Sequence, residues 1–216
     1  MIRVATAPMN WNSDDLPDLR PEIPIGQVLA EIVEAGYEGT EYGTGLPADP
    51  KALRAILADG IHTLARACEP LGVRLAVHPH AGFYVETRAE VETLFNVTDA
   101  KALGLCVDAG HLVYGGADPV EVVETYGPRV RYVHIKDVNP RILALSTQNG
   151  LGFLGALRSY IFCDLGRGCV DLGRFMGALH KVNYSGWMVI EQDTSPKSPL
   201  ETARANRRYL KETFGL

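Results

Sequence analysis

Residues 103–116 read LGLCVDAGHLVYGG. An apolar run of strand character stops at Asp108, a histidine follows at His111, and Gly110, Gly115 and Gly116 surround both. Alone, the stretch is a buried strand entering a tight turn, since glycine lets the backbone reverse without steric cost. Its meaning depends on how other apolar runs in the chain end.

Three others end in the same way. RLAV leads into His78-Pro79-His80, VRYV into His134, and WMVI into Glu191. Each run finishes, at its carboxyl end, in a side chain able to bind a divalent cation. Strand side chains alternate between faces, so His134 shares a face with Tyr132 and Lys136, while Val133 and Ile135 point the other way. The same parity groups Asp108 with Cys106, Glu191 with Val189 and His78 with Ala76. In a closed parallel barrel such positions meet at the carboxyl-end mouth, where these folds build their sites. In an open sheet they spread along an edge. Nitrogen and oxygen donors without thiolate suit Mn²⁺ or Co²⁺ best, with Mg²⁺ or Zn²⁺ as further options.

The rest of the chain supports a parallel α/β architecture. Candidate strands cover 2–6, 39–42, 73–77, 103–107, 130–135 and 187–190, separated by segments of helical period such as Ile25, Val28, Leu29, Ile32 and Val33. Asp49-Pro50, Asp118-Pro119 and Ser198-Pro199 each place a capping side chain before a proline at the first helical position. Asp118 with Glu121 and Ser198 with Glu201 have capping-box spacing. Alternation with short connections predicts a sheet covered by helices, in one domain spanning 1–216. The first strand is followed by ATAPMNWNSDD, without the glycine fingerprint of a dinucleotide fold, and DLGRGCVDL at 164–172 lacks the preceding strand and lysine of a phosphate loop.

Composition excludes several classes. The 216 residues are 46% hydrophobic and 22% charged, with a formal charge of −5, which argues against a nucleic-acid partner. No run of about 18 apolar residues suggests a membrane span. MIRVATAPMNW has no leader character, so a cytoplasmic protein is expected. Cys68, Cys106, Cys163 and Cys169 show no paired spacing, and the first two read as reduced core residues.

Taken together, TAPMNWNSDD, GYEGTEYG, RLAVHPHAGFYVET, GLCVDAGHLVYGG, VRYVHIKDV, LGRGCVDL and WMVIEQD resemble the xylose-isomerase-like (β/α)8 superfamily of sugar isomerases and epimerases, and within it the myo-inosose-2 dehydratase branch. The resemblance implies a TIM-type barrel and a metal-dependent enzyme for a small polyol ketone. It assigns the cation to Asp108, His134 and Glu191, with a fourth ligand from His78, or alternatively His80 or Glu86. It makes His111 a substrate contact and lets Glu191 double as base. His80 and Lys136 are the remaining candidates for acid and charge-stabilising roles, Lys136 being costly to bury unless paired with Asp137 or Glu191. Asn10, Trp11, Glu41 and Arg141 lie where rim loops contact substrate. Asp193 and His62 read as structural or solvated, and His180 as exposed.

The implied reaction is loss of water from a keto-inositol (2-keto-myo-inositol, or scyllo-inosose). An isomerase or keto-sugar 3-epimerase with the same cation is an alternative, and a non-catalytic remnant of a barrel is another. The remnant reading arises at ALRAILADGIHTLARACEPLG, 52–72, where two helical patterns meet across Asp59-Gly60 and relatives carry two further β/α units. Six strands are recognisable instead of eight. The edges so exposed invite a homo-oligomer that covers them.

Overall fold

A computed structural model of the chain describes residues 5–6, 23–34, 39–40 and 60–216. It divides into two units, one of Met1–Val77 with Val97–Leu103, the other of His78–Asn96 with Gly104–Leu216. In the first unit, β1 (Ala5–Thr6) pairs in parallel with β2 (Gly39–Thr40). Helix α1 (Ile25–Glu34) lies between them in sequence and buries Val28, a member of the predicted apolar stripe. Residues 60–68 are helical (α2) and bury Ile61 and Cys68. His62 Nε2 accepts the backbone N–H of Asp99 at 3.0 Å, a structural role as expected. Strand β3 (Leu75–Val77) completes the described elements and leads directly to His78.

The second unit carries α3 (Arg88–Asn96), most of β4 (Leu103–Asp108), α4 (Ala109–Tyr114), α5 (Pro119–Tyr126) and β5 (Val130–Ile135). Then come β6 (Asp137–Val138), α6 (Pro140–Asn149), α7 (Phe153–Arg158), β7 (Phe162–Cys163), α8 (Leu172–Lys181), β8 (Met188–Ile190) and α9 (Pro199–Phe214). Strands β4, β5 and β8 pair in parallel, with Asp108 opposite His134 and His134 opposite Val189. This register puts the ends of the three strands level. Val133 and Ile135 are fully buried, in keeping with a helix-facing layer. On that side α5 packs against α8, which contribute Val122, Val123, Phe175 and Leu179 to the core.

The capping pairs hold in part. Ser198 and Glu201 form the full capping box of α9. Asp118 caps α5 by accepting from Val120 N–H, but Glu121 turns away to an ion pair with Arg88 instead of closing a box. Asp49-Pro50 lies outside the described residues.

One pairing is absent from the expected strand set: β6 and β7 run antiparallel. They frame the loop 164–171, which is wrapped around the carboxylate of Asp137. Asp137 Oδ2 accepts from Gly166 and Gly168 N–H at 2.9 and 2.8 Å, and Oδ1 from Val138 and Val170 at 2.9 and 3.1 Å. A side chain at Gly168 would collide with that carboxylate. The amides of this glycine-rich loop are thus occupied by an anion from the chain itself, which agrees with its rejection as a phosphate loop. Cys68 and Cys106 are buried and all four cysteines are free. Among the described residues no helix is long and apolar enough to cross a membrane.

Candidate metal centre

Asp108 ends β4 and begins α4, and its two oxygens have different work. Oδ1 accepts the N–H groups of Gly110 and His111, both at 2.9 Å, as the N-cap of α4. That bond aims Oδ2 away from the helix, where it meets His78 Nε2 at 3.3 Å, His134 Nδ1 at 3.4 Å and Lys136 Nζ at 3.6 Å. Glu191 Oε2, one residue past β8, lies 3.0 Å from His134 Nδ1 and 2.6 Å from Lys136 Nζ. Gly110 is required here, because a Cβ would come within 2.5 Å of Lys136 Cβ.

The charges in the cluster depend on one another. Asp108 is fully buried, and burial alone raises its pKa; His134 and His78 outweigh that and hold it well below the carboxylate range. For Glu191 burial also acts upward, but His134 and Lys136 bring it down to about 2. Burial opposes a charge on His134, yet the adjoining Asp108, Cys106 and Glu191 side chains push it up to about 12. Lys136, only 1% exposed, loses solvation on burial and regains it from Asp108, Glu191 and Asp193, so its pKa is raised. The arrangement favours positive charge between the two carboxylates.

A cation fits the donor set. Among the described residues, His134 Nδ1 and Glu191 Oε2 are buried without a properly aligned hydrogen-bond partner. The ligand atoms of Asp108, His134 and Glu191 all lie within 4.8 Å of one another, as do those of His78, Asp108 and His111. Ligand atoms held about 2.1 Å from one ion sit about 3.0 Å apart at right angles and about 3.4 Å apart at the tetrahedral angle. The separations from His134 Nδ1 to Glu191 and Asp108, 3.0 and 3.4 Å, span that interval.

Beside this cluster His80 stacks on His111, ring centroids 3.7 Å apart. Burial lowers the pKa of both, that of His111 to about 2, so both are neutral near pH 7. Of the alternative fourth ligands, His80 turns Nδ1 to the carbonyl of Ala81 and Glu86 accepts the N–H of Gly82 at 2.9 Å. Phe153 and Phe162 flank His111 at 5.6 and 5.1 Å between centroids.

The structure therefore gathers His78, His80, Asp108, His111, His134, Lys136 and Glu191. Arg141 is not among them: it is exposed in the first turn of α6, its N–H held by Asn139 Oδ1. Asn10, Trp11 and Glu41 lie outside the described residues. His180 is exposed on α8, as expected. Asp193, read from sequence as structural or solvated, instead faces Lys136 Nζ with both oxygens at 3.2 Å. Asp137 is not a partner of Lys136, because its carboxylate is turned to the loop amides.

A family model described as "xylose isomerase-like TIM barrel" matches residues 25–213. The chain belongs to this family. An inosose dehydratase of Clostridium botulinum (strain Alaska E43 / Type E3) is 28% identical over 288 aligned residues, covering 98% of this chain and 97% of that protein. One from Geobacillus kaustophilus (strain HTA426) is 29% identical over 288, covering 97% and 94%. Among solved structures, the IolI protein with a bound zinc atom has a TM-score of 0.67 at 18% identity, covering 97% of this chain and 75% of that one. The probable 3-DHS dehydratase AsbF of Bacillus anthracis also scores 0.67, at 14% identity, covering 90% and 73%. These two likenesses concern the TIM-barrel fold. A chain of 216 residues cannot fill 288 aligned positions, so at least 72 have no counterpart here. At roughly 30 residues per strand–helix unit, that agrees with the two units found wanting in the sequence.

Proposed function

We propose that the chain is a cytoplasmic, metal-dependent carbon–oxygen lyase that removes water from a keto-inositol. The observation that carries this reading is the convergence of Asp108, His134 and Glu191 at ligand spacing around unpartnered buried atoms, in a chain alignable nearly end to end with inosose dehydratases. His78 is the fourth ligand on this reading, since its Nε2 faces Asp108 Oδ2 at 3.3 Å, whereas the groups of ligand atoms within 4.8 Å of one another among the described residues include His78 and neither His80 nor Glu86. Mn²⁺ or Co²⁺ suits two imidazoles and two carboxylates, and Zn²⁺ or Mg²⁺ is compatible.

Loss of water requires removal of the proton next to the ketone and protonation of the departing hydroxyl. A divalent cation held by these four side chains would supply Lewis-acid polarisation of the substrate ketone. Lys136, kept charged by Asp108, Glu191 and Asp193, stabilises the negative charge that grows on the ketone oxygen. His111 holds a substrate hydroxyl. Glu191 and His80 are the groups placed to receive and return the proton, and the Phe153–Phe162 wall keeps water from the ring face. Asn10, Trp11, Glu41 and Arg141 remain proposed substrate contacts of the rim.

The test is metal analysis of the purified protein followed by incubation with scyllo-inosose, reading the ultraviolet absorbance of the diketone product. Absorbance that is lost on chelation and restored by Mn²⁺ is expected. Interconversion of keto-sugars without loss of water would assign an isomerase or epimerase instead. Metal retention with no turnover would leave a barrel remnant.

A further inference from the structure

The backbone C=O and N–H of Ala81, a fully buried residue, are each bonded to one of the two stacked histidines. Its carbonyl oxygen is 2.9 Å from His80 Nδ1, and its N–H points at His111 Nδ1, 3.2 Å away. A carbonyl has no proton to give, so His80 Nδ1 must carry the hydrogen, and in the neutral ring Nε2 bears the lone pair. A backbone N–H has no lone pair, so His111 Nδ1 accepts, and the proton of the neutral ring sits on Nε2. The N–H and C=O of one residue, in two successive peptide groups, thereby impose opposite tautomers on two rings in contact.

A second contact sharpens this. Lys136 Nζ lies 3.3 Å from His111 Nε2. With Nε2 protonated these are two donors, so they do not bond each other. Lys136 donates instead to Asp193 and forms an ion pair with Glu191. The His111 Nε2–H and the Lys136 ammonium thus stand side by side, two groups of the kind that stabilise an oxygen gaining negative charge.

We propose that the Ala81 backbone divides labour between the histidines: His80 takes the substrate's proton at Nε2, and His111 is a fixed Nε2–H donor to a substrate oxygen beside Lys136. In the step, the C–H bond next to the ketone breaks, its proton passes to His80 Nε2, and its electron pair forms the enolate. The enolate's electron pair then forms the C=C bond as the neighbouring C–O bond breaks, and the departing hydroxyl takes the proton back from His80 Nε2 and leaves as water. The assignment of roles rests on the dehydratase reading; the tautomers do not.

Two experiments test it on the full chain. Long-range proton–nitrogen correlation spectra of ¹⁵N-histidine-labelled protein, metal-free and zinc-loaded, are expected to show the Nδ1–H form for His80 and the Nε2–H form for His111. The same tautomer on both rings overturns the proposal, whether or not inosose is turned over. In kinetics, His111→Gln keeps an acceptor for Ala81 and an N–H for substrate, so KM rises while kcat falls less than about tenfold. His80→Gln keeps the bond to Ala81 but has no base, so kcat falls by about 10²- to 10⁴-fold with KM little changed. Equal kcat losses in the two variants, or a preserved kcat in His80→Gln, overturn the division of labour. Opposite tautomers in a protein inert toward inosose would overturn the dehydratase reading and leave the tautomer assignment in place.

Discussion

Asp108 and Asp137 are both buried carboxylates bound by backbone N–H groups, yet they end up in different chemical states. Asp137, 1% exposed, gives both oxygens to four backbone amides, three from the loop 164–171 and that of Val138. Nothing remains to bind, and the residue acts as an internal anchor. Asp108, 0% exposed, gives one oxygen to the N-cap of α4 and leaves the other facing two imidazoles and an ammonium. Burial therefore does not separate a structural acid from a site acid. The separation lies in how many lone pairs the backbone has already used.

Asparagine substitutions break the comparison open. In Asp108→Asn the amide oxygen can still cap α4, because Asn is as good an N-cap as Asp. The fold should hold, with a circular dichroism spectrum like the parent's. The NH2 group, however, would stand where Oδ2 faces the ligands, and it donates where a ligand must accept. Metal content should be lost, and turnover of inosose should fall on the order of 10³-fold, the scale of Lewis-acid assistance. Retained metal in a folded Asp108→Asn protein would remove Asp108 from the ligand set.

Asp137→Asn should do the reverse. Whichever way the amide is turned, its NH2 confronts two backbone N–H donors, so two backbone amides lose their acceptor. The expected cost is on the order of 3 kcal/mol of folding stability, read as a lower denaturant midpoint at unchanged slope. The remaining folded fraction should still bind metal, since none of the four proposed ligands touches Asp137 in the hydrogen-bond network. An unchanged midpoint would mean that the amide cage contributes little.

What the sequence made legible follows from the same distinction. The four strand ends stood out because an apolar run that stops at His, Asp or Glu is visible locally, and strand parity put His134 and Lys136 on one face. Of the two partners offered for Lys136, Glu191 is in place at 2.6 Å; its further partner was harder. Asp137 is its neighbour in sequence, but successive strand residues point to opposite faces, so parity itself argued against that pair. Asp193 lies 57 residues away, and no local pattern marks it. Ala81 was not legible at all, because its contribution comes from the peptide, which every residue has. Glu121 had the spacing of a capping box and went to Arg88, since an exposed glutamate can choose between partners of similar worth.

Asp118 extends the comparison to a carboxylate at the surface. Its Oδ1 accepts Val120 N–H at 2.8 Å as the N-cap of α5, much as Asp108 caps α4, but its side chain is 35% exposed and its other oxygen meets only Arg174, 3.5 Å away and itself well exposed. Water can replace each of these bonds when the side chain is removed. Asp118→Ala should therefore cost about 1 kcal/mol, a melting-temperature drop of about 2–4 °C for a chain of this size, with metal content and turnover unchanged. The ion pair to Arg174 adds little, because exposed pairs contribute at most about 1 kcal/mol and are screened by salt. A double variant with Arg174→Ala should consequently melt within about 2 °C of Asp118→Ala alone. A much larger loss in Asp118→Ala would show that an exposed cap can anchor as strongly as the buried amide cage, and the contrast drawn between Asp137 and its surface counterpart would fail.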